Sequence, residues 1–379
     1  MKNILVEGWR GINHSYALVN QYQLLELKKL NINIFHTDLP YFNKSWNKQT
    51  NANGFDELSN QVIQSIPGPP STIQRFDITY RISFPYRYYP ANSDRLYVFG
   101  TAEYQSIDGL VFNNDFSDSI KNPNVKIVTP SNWSKVGFLK SGFQEDQIEV
   151  IPHGIDPNVY KPISADKRKR ARDILGLNDD DFVILSLGAM TWNKGIDVLL
   201  QAFSLLRKKF RHIKLVLKDQ SNLYGIFARD ILAELTKKYP DRFSDEVISS
   251  IGFMSMNLTF HDLNGLYGCA DCYISPYRAE GFNLTPLEAA ASGVPIIVTE
   301  GGATDDYCHN SFAMKIRGKQ ITKANETYIE PNLDSLIEQM TILIENRNDE
   351  IDQVNAVEFI NKNFTWSICT RKLVDSFGY

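Results

Sequence analysis

The sequence predicts an α/β protein built from two doubly wound parallel sheets facing across a cleft. Three observations carry this expectation. Short apolar strands alternate with amphipathic helical stretches along the chain, the pattern of parallel sheets covered on both faces. A charged, proline-containing stretch from residue 157 to 181 interrupts the alternation once, so each half holds its own sheet. The length of 379 residues suits more than one domain, at about 150 residues each.

In the first half, Asn3-Ile4-Leu5-Val6 reads as a buried strand, followed by the loop Gly8-Trp9-Arg10-Gly11 and a helix over residues 15–30. Further strands are expected at 32–35, 76–82, 95–99, 125–128 and 148–151, with a helix over 133–139. A polar, Asn-rich insertion covers about 43–60 and closes on Pro67-Gly68-Pro69-Pro70. In the second half, strands are expected at 183–187, 213–217, 272–275 and 295–298. Ile196, Leu199, Leu200, Phe203 and Leu206 recur at helical spacing, and a further helix is expected over 228–235. Ligands of such sheets sit beyond the carboxyl ends of the strands, so the loops that follow strands are where function is sought.

Lys and Arg number 40 against 44 Asp and Glu, a net charge of −4, which argues against a nucleic-acid partner. The run Lys167-Arg168-Lys169-Arg170 reads as a solvated helix face. No apolar run reaches the roughly 18–20 residues that span a bilayer. The N-terminus meets Glu7 too soon for a signal-peptide core, so a soluble, cytoplasmic protein is expected. Four cysteines make no disulfide framework. Cys269 and Cys272 form a single C-x-x-C without a second at metal spacing, and Cys308 precedes His309; buried structural thiols are expected rather than a zinc or redox site.

The most informative segment runs from Ser275 to Ala290, between a strand and a helix. Thr285 reads as the N-cap, Pro286 as the first helical residue and Glu288 as the third position after the cap. Ser292-Gly293, with Pro295 beyond, marks the helix end. The amides of Gly281, Phe282, Asn283 and Leu284, aligned with the helix dipole, form an anion site suited to a diphosphate. Glu280 and Glu288 beside a diphosphate are electrostatically awkward unless they accept hydrogen bonds from neutral hydroxyls, and a nucleotide sugar supplies such hydroxyls at both ends. The plainer alternatives are a capping box for Glu288 and a solvated loop residue for Glu280.

Glu280 and Glu288, eight positions apart around Gly-Phe-Asn-Leu-Thr-Pro-Leu, resemble the paired-glutamate motif of family 4 glycosyltransferases of the GT-B fold. Four further phrases resemble that family in the same order: Gly188-Ala189-Met190-Thr191-Trp192-Asn193-Lys194-Gly195, Ile151-Pro152-His153-Gly154-Ile155-Asp156, Gly301-Gly302-Ala303 with Asp305, and Asn363-Phe364-Thr365-Trp366. The resemblance covers about residue 130 to the C-terminus, and over 1–129 it is carried mainly by the Gly8–Gly11 loop.

The resemblance implies an N-terminal acceptor-binding Rossmann-like domain (1–160), a C-terminal donor-binding one (161–360), and a last helix (361–379) crossing back onto the first. Lys194 would neutralise the diphosphate and, with Glu280, serve catalysis; Glu288 would hold the ribose hydroxyls, and Glu280 the sugar. Gly11 and Lys218 join Gly281, Phe282, Asn283 and Leu284 in donor binding. In place of the family's usual Arg after the first Gly of the Lys-Gly loop, this chain has Ala189; Lys218 or Arg278 are the candidates for the missing positive charge. Arg10, Asn13, His14 and Glu103 are candidates to face the sugar or acceptor, with a structural histidine the alternative for His14. Arg81, Tyr86 and Arg87 either line an acceptor groove or decorate a surface. The partners implied are a UDP- or GDP-sugar and a glycan, lipid-linked or protein acceptor, with peripheral contact at the inner membrane face compatible with a lipid-linked one. Transfer with retention by front-face attack, without cofactor or metal, is the expected chemistry. A nucleotide-sugar epimerase of the same fold and a non-catalytic nucleotide-sugar-binding subunit are the alternatives.

Overall fold

A computed structural model describes residues 2–50, 52–346 and 353–379. The chain forms two compact units. One comprises Met1–Gly154, Lys323–Thr327 and Phe364–Tyr379, the other Ile155–Thr322 and Tyr328–Asn363.

The first unit holds β1 (Asn3–Gly8), β2 (Asn33–Asp38), β3 (Phe76–Ile82), β4 (Ser93–Phe99), β5 (Val125–Thr129) and β6 (Ile148–Val150), in the spatial order β2-β1-β3-β4-β5-β6. The second holds β7 (Phe182–Gly188), β8 (Ile213–Asp219), β9 (Ile251–Met254), β10 (Cys272–Ser275), β11 (Ile296–Thr299) and β12 (Ala313–Ile316), in the order β12-β11-β10-β7-β8-β9. Neighbouring strands in both sheets pair in parallel. A separate two-stranded sheet joins β13 (Gly318–Lys323) to β14 (Glu326–Pro331). The strand order reverses between β1 and β3 in one sheet and between β7 and β10 in the other. Such a reversal opens a crevice at the carboxyl edge, because the two crossovers leave in opposite directions.

Burial follows the sequence. Phe182 through Ser186 of β7 are buried without alternation, as a strand covered on both faces requires. Leu199, Leu200, Phe203 and Leu206 of the helix Ile196–Lys209 pack with Ile184, Leu215, Leu217 and Ile274, joined by Leu336, Met340, Leu343 and Ile344 of the helix Leu333–Glu345. Each such side chain contributes about 1.5–3 kcal/mol by leaving water.

In the first unit, two phrases far apart in sequence make one packing contact. A Cβ on Gly154 would stand 2.3 Å from Trp366 N, so the chain passes the start of the helix Trp366–Ser376 only as glycine. Thr365 caps that helix by accepting from Ile368 N at 3.3 Å, and Trp366 stacks on Tyr22 at 4.9 Å. His153 lies against Phe99 and Trp366, each 5.7 Å away, and burial lowers its pKa to about 3.

The polar insertion leads into a helix, Glu57–Gln64, capped by Asp56, and the charged stretch contains another, Ala165–Ile174, capped by Ser164. The basic run on the latter is only partly a solvated face. Arg168 and Arg172 donate to the carbonyls of Gly268, Cys269 and Ala270 and pair with Asp271. They thereby satisfy the open carbonyls at the end of the helix Phe260–Cys269. The four cysteines are buried free thiols. Among the described residues no group of three or more His, Cys, Asp or Glu is placed to hold a metal, and no helix is long and apolar enough to cross a membrane.

Candidate active site

The loops after β7 and β10 meet at the reversal point of the second sheet. Arg278 N donates to Asn193 O at 2.6 Å, and Asn193 Nδ2 donates to Ala279 O at 3.0 Å. Gly195 has φ +68°, and a Cβ there would stand 1.9 Å from Pro276 O. The backbones therefore touch where only glycine fits. This close approach brings Lys194 to Glu280, and Lys194 Nζ donates to Glu280 Oε1. Glu280's side chain is 5% exposed and that of Lys194 25%, so the pair is sheltered but open on the lysine side. The amine is thus held at the residue that leads into Gly281 and the next helix.

That helix spans Leu284–Ala291 and starts earlier than its sequence suggests. The N-cap is Asn283, with φ 69° and ψ 77°, a left-handed conformation that Asn tolerates better than most residues. Thr285 is not the cap because its hydroxyl is engaged elsewhere. It accepts from Tyr273 Oη at 2.6 Å and donates to Asn283 Oδ1 at 3.1 Å. Asn283 is pinned further, its Nδ2 donating to Ser275 Oγ at 2.9 Å and its carbonyl accepting from Tyr307 Oη. Phe282 packs on Tyr307 with ring centres 4.9 Å apart. The first helical amides, Leu284 and Thr285, have no acceptor within the helix, and Pro286 offers none. Fixed donors at the positive end of the helix dipole suit an anion.

Glu288 makes no capping box. Its Oε2 accepts from Tyr267 Oη at 2.8 Å, and burial pushes its pKa up to about 7, against the opposing effect of the Tyr267 and Tyr160 hydroxyls. Partly protonated near neutral pH, such a carboxyl can exchange hydrogen bonds with the hydroxyl of a ligand.

The two candidates for a second cation differ. Lys218, the penultimate residue of β8, lies beside Leu187 of β7; its amine donates to Asp219 O at 3.0 Å, and burial lowers its pKa while Asp219 opposes this. Arg278 is fully engaged and cannot replace the arginine missing at Ala189. It pairs with both oxygens of Asp197 at 2.7 and 2.8 Å and both of Glu330 at 2.8 and 2.9 Å, and donates to Trp192 O at 2.9 Å. These carboxylates raise its pKa further despite burial.

The remaining candidates lie in the first unit, where the structure assigns several of them other work. Arg10 forms a two-pronged pair with Asp38 at 2.9 and 2.8 Å and donates to Ile63 O at 3.0 Å. Gly11 N donates to Gln21 Oε1 at 2.8 Å. His14 caps the helix Ser15–Lys29 by accepting from Tyr16 N at Nδ1, 3.1 Å away. It lies between Trp9 and Trp46, and burial lowers its pKa to about 3. Asn13 is half-buried beside it. Glu103 is half-buried near the buried Tyr16 and Tyr86 hydroxyls, which hydrogen-bond each other at 2.9 Å; its carbonyl accepts from Trp133 Nε1 at 2.8 Å. Arg81 lines no groove: it is buried, pairs with Glu7 at 2.6 Å and donates to the carbonyls of Arg87 and Tyr89.

Sequence reasoning missed Asn193, which sutures the two loops, and Tyr267, which holds Glu288. It also missed the β13–β14 sheet, which carries Glu330.

The comparisons agree with this architecture. Residues 167–355 match the family model described as group 1 glycosyl transferases. The mannosylfructose-phosphate synthase of Agrobacterium fabrum is 30% identical over 161 residues, which is 42% of this chain and 34% of that protein. A D-inositol 3-phosphate glycosyltransferase of Pseudarthrobacter chlorophenolicus is 29% identical over 178 residues, 47% of this chain and 40% of that one. The chain thus spans well under half the length of these relatives. The crystal structure of Anabaena HepE in complex with UDP-glucose has a TM-score of 0.71 at 14% identity, covering 100% of both chains. The fold is that of the GT-B glycosyltransferases.

Proposed function

We propose that the chain is a retaining glycosyltransferase that moves a sugar from a nucleoside-diphosphate sugar to a hydroxyl acceptor such as a glycan, glycolipid or glycoprotein precursor. The observation that carries this is Lys194 held against Glu280 immediately ahead of the Leu284–Ala291 N-terminus, at the reversal point of the sheet. The match of residues 167–355 to group 1 glycosyl transferases supports it. HepE was crystallised with UDP-glucose, which makes UDP-glucose the first donor to test. In this reading the second unit binds the donor and the first the acceptor.

The helix amides and Lys194 take the diphosphate. Glu280, already bonded to Lys194, accepts from a sugar hydroxyl, and Glu288 accepts from the ribose. In the transfer, the bond from the anomeric carbon to the phosphate oxygen breaks and its electron pair stays on the phosphate. The acceptor oxygen bonds the same carbon from the same face, and its proton passes to the departing phosphate oxygen. Lys194 and the fixed amides stabilise that growing negative charge, a preorganised electrostatic contribution that calls for no metal.

A thermal-shift screen against UDP, GDP and their sugars tests the reading, since a ligand of the folded state raises its stability. Stabilisation by one nucleotide, with turnover that survives EDTA, is expected; no shift with any of them refutes it. The reading of a binding subunit without turnover is favoured by Ala189 and by the full engagement of Arg278; nucleotide binding with no transfer to any acceptor would establish it.

A further inference from the structure

Trp192 lies two residues before Lys194 and is 52% exposed. Its orientation is nonetheless fixed. The Arg278 guanidinium lies over the indole at 4.5 Å and donates to the Trp192 carbonyl. The Tyr328 ring meets it edge-on at 5.1 Å and 79°. Asp197 and Glu330 clamp the same guanidinium from two sides. The guanidinium covers one indole face, Tyr328 buttresses the ring, and about half of the residue stays exposed to solvent. Its supports come from three separate places in the chain: the loop after β10, the helix Ile196–Lys209 and strand β14.

We propose that Trp192 is a stacking platform for a pyranose ring, a sugar subsite adjoining the Lys194 loop. This rests on the donor reading for the identity of its neighbour. A sugar presents an apolar face of C–H groups that suits a flat, exposed indole, and its rim of hydroxyls needs acceptors. Those acceptors are at hand. The Asp197 and Glu330 side chains remain 32% and 38% exposed, and each carboxylate oxygen keeps a lone pair beyond the one given to Arg278. One guanidinium against two carboxylates leaves a net −1 at the platform itself, which suits a neutral polyol. The immobilised ring also avoids the ordering entropy that a mobile side chain would lose on binding.

Saturation-transfer NMR with methyl α-glucoside, maltose and cellobiose, alongside tryptophan fluorescence titration, tests this on the full chain. Wild type is expected to bind at least one probe, with transfer strongest to the C–H protons of one sugar face. Trp192→Ala should weaken that binding about tenfold or more, a loss of about 1.4 kcal/mol, and Trp192→Phe only about threefold. The nucleotide-induced thermal shift should be unchanged in Trp192→Ala. Absence of binding of every probe up to about 50 mM, or equal binding by Trp192→Ala, overturns the proposal. Loss of the nucleotide shift in Trp192→Ala assigns the indole to the nucleobase and overturns it too. If wild type binds the sugars through Trp192 but shifts with no nucleotide, the donor reading fails and the platform stands.

Discussion

Replacing Glu288 by Gln measures how far burial has shifted this carboxyl. Its pKa rises from 4.5 to about 7 on folding, first because of burial. At about 1.4 kcal/mol per pH unit, that rise weakens folding by about 3 kcal/mol once both states are ionised. Below pH 4.5 the carboxyl is protonated in both states and exacts nothing. Between 4.5 and 7 the unfolded chain releases the proton while the folded chain keeps it, so stability falls as pH rises. Above 7 the loss is complete. Gln stays neutral throughout, and its carbonyl can still accept from Tyr267. The variant should therefore exceed wild type by about 1 kcal/mol at pH 5 and about 3 kcal/mol at pH 8.5, read from urea unfolding followed by tryptophan fluorescence. The same variant should lose nucleotide affinity by about tenfold, because hydrogen bonds to a charged acceptor are stronger than those to an amide. A stability difference that does not grow with pH, or a wild type more stable than the variant at pH 8.5, refutes the reasoning.

Gly195→Ala forces a Cβ to 1.9 Å from Pro276 O at a positive φ. It should lower stability by more than about 2 kcal/mol and abolish nucleotide binding, checked by thermal melting with and without UDP. Arg278→Lys keeps one charge but loses the forked geometry that meets Asp197 and Glu330. Melting several degrees lower is expected, about 1–2 kcal/mol after allowing for the partial exposure of both carboxylates; an unchanged melting point contradicts the assignment. His14→Asn should keep the fold, since Asn also caps helices, and activity should show no ionisation near pH 6–7 that the variant removes.

Strands β3 and β10 occupy the residues expected of them, because a short apolar run bounded by turn residues is its own signal. The helices Glu57–Gln64 and Ala165–Ile174 were not legible by periodicity, since each buries a single residue, Ile63 or Arg172. Their caps, Asp56 and Ser164, were the available signal. At the candidate site, the residue types and loop positions were readable, whereas their partners were not. Lys194 finds Glu280 86 positions away, and Arg278 finds Asp197 and Glu330 81 and 52 positions away. No local spacing encodes such pairs: the pairing of β7 with β10 brings Lys194 to Glu280 and Arg278 to Asp197, and the separate β13–β14 sheet supplies Glu330. The helix start was misplaced for a similar reason: Asn283 is held left-handed by Ser275 and Tyr307, contacts that a capping rule does not contain.

The most direct measurement is a crystal structure of the chain soaked with UDP. Diphosphate oxygens within hydrogen-bond reach of Lys194 Nζ and of the Phe282, Asn283 and Leu284 nitrogens, with a ribose hydroxyl on Glu288, are expected. A nucleotide bound elsewhere, with Lys194 still closed on Glu280, would contradict the assignment of a pyrophosphate grip to this end of the second sheet.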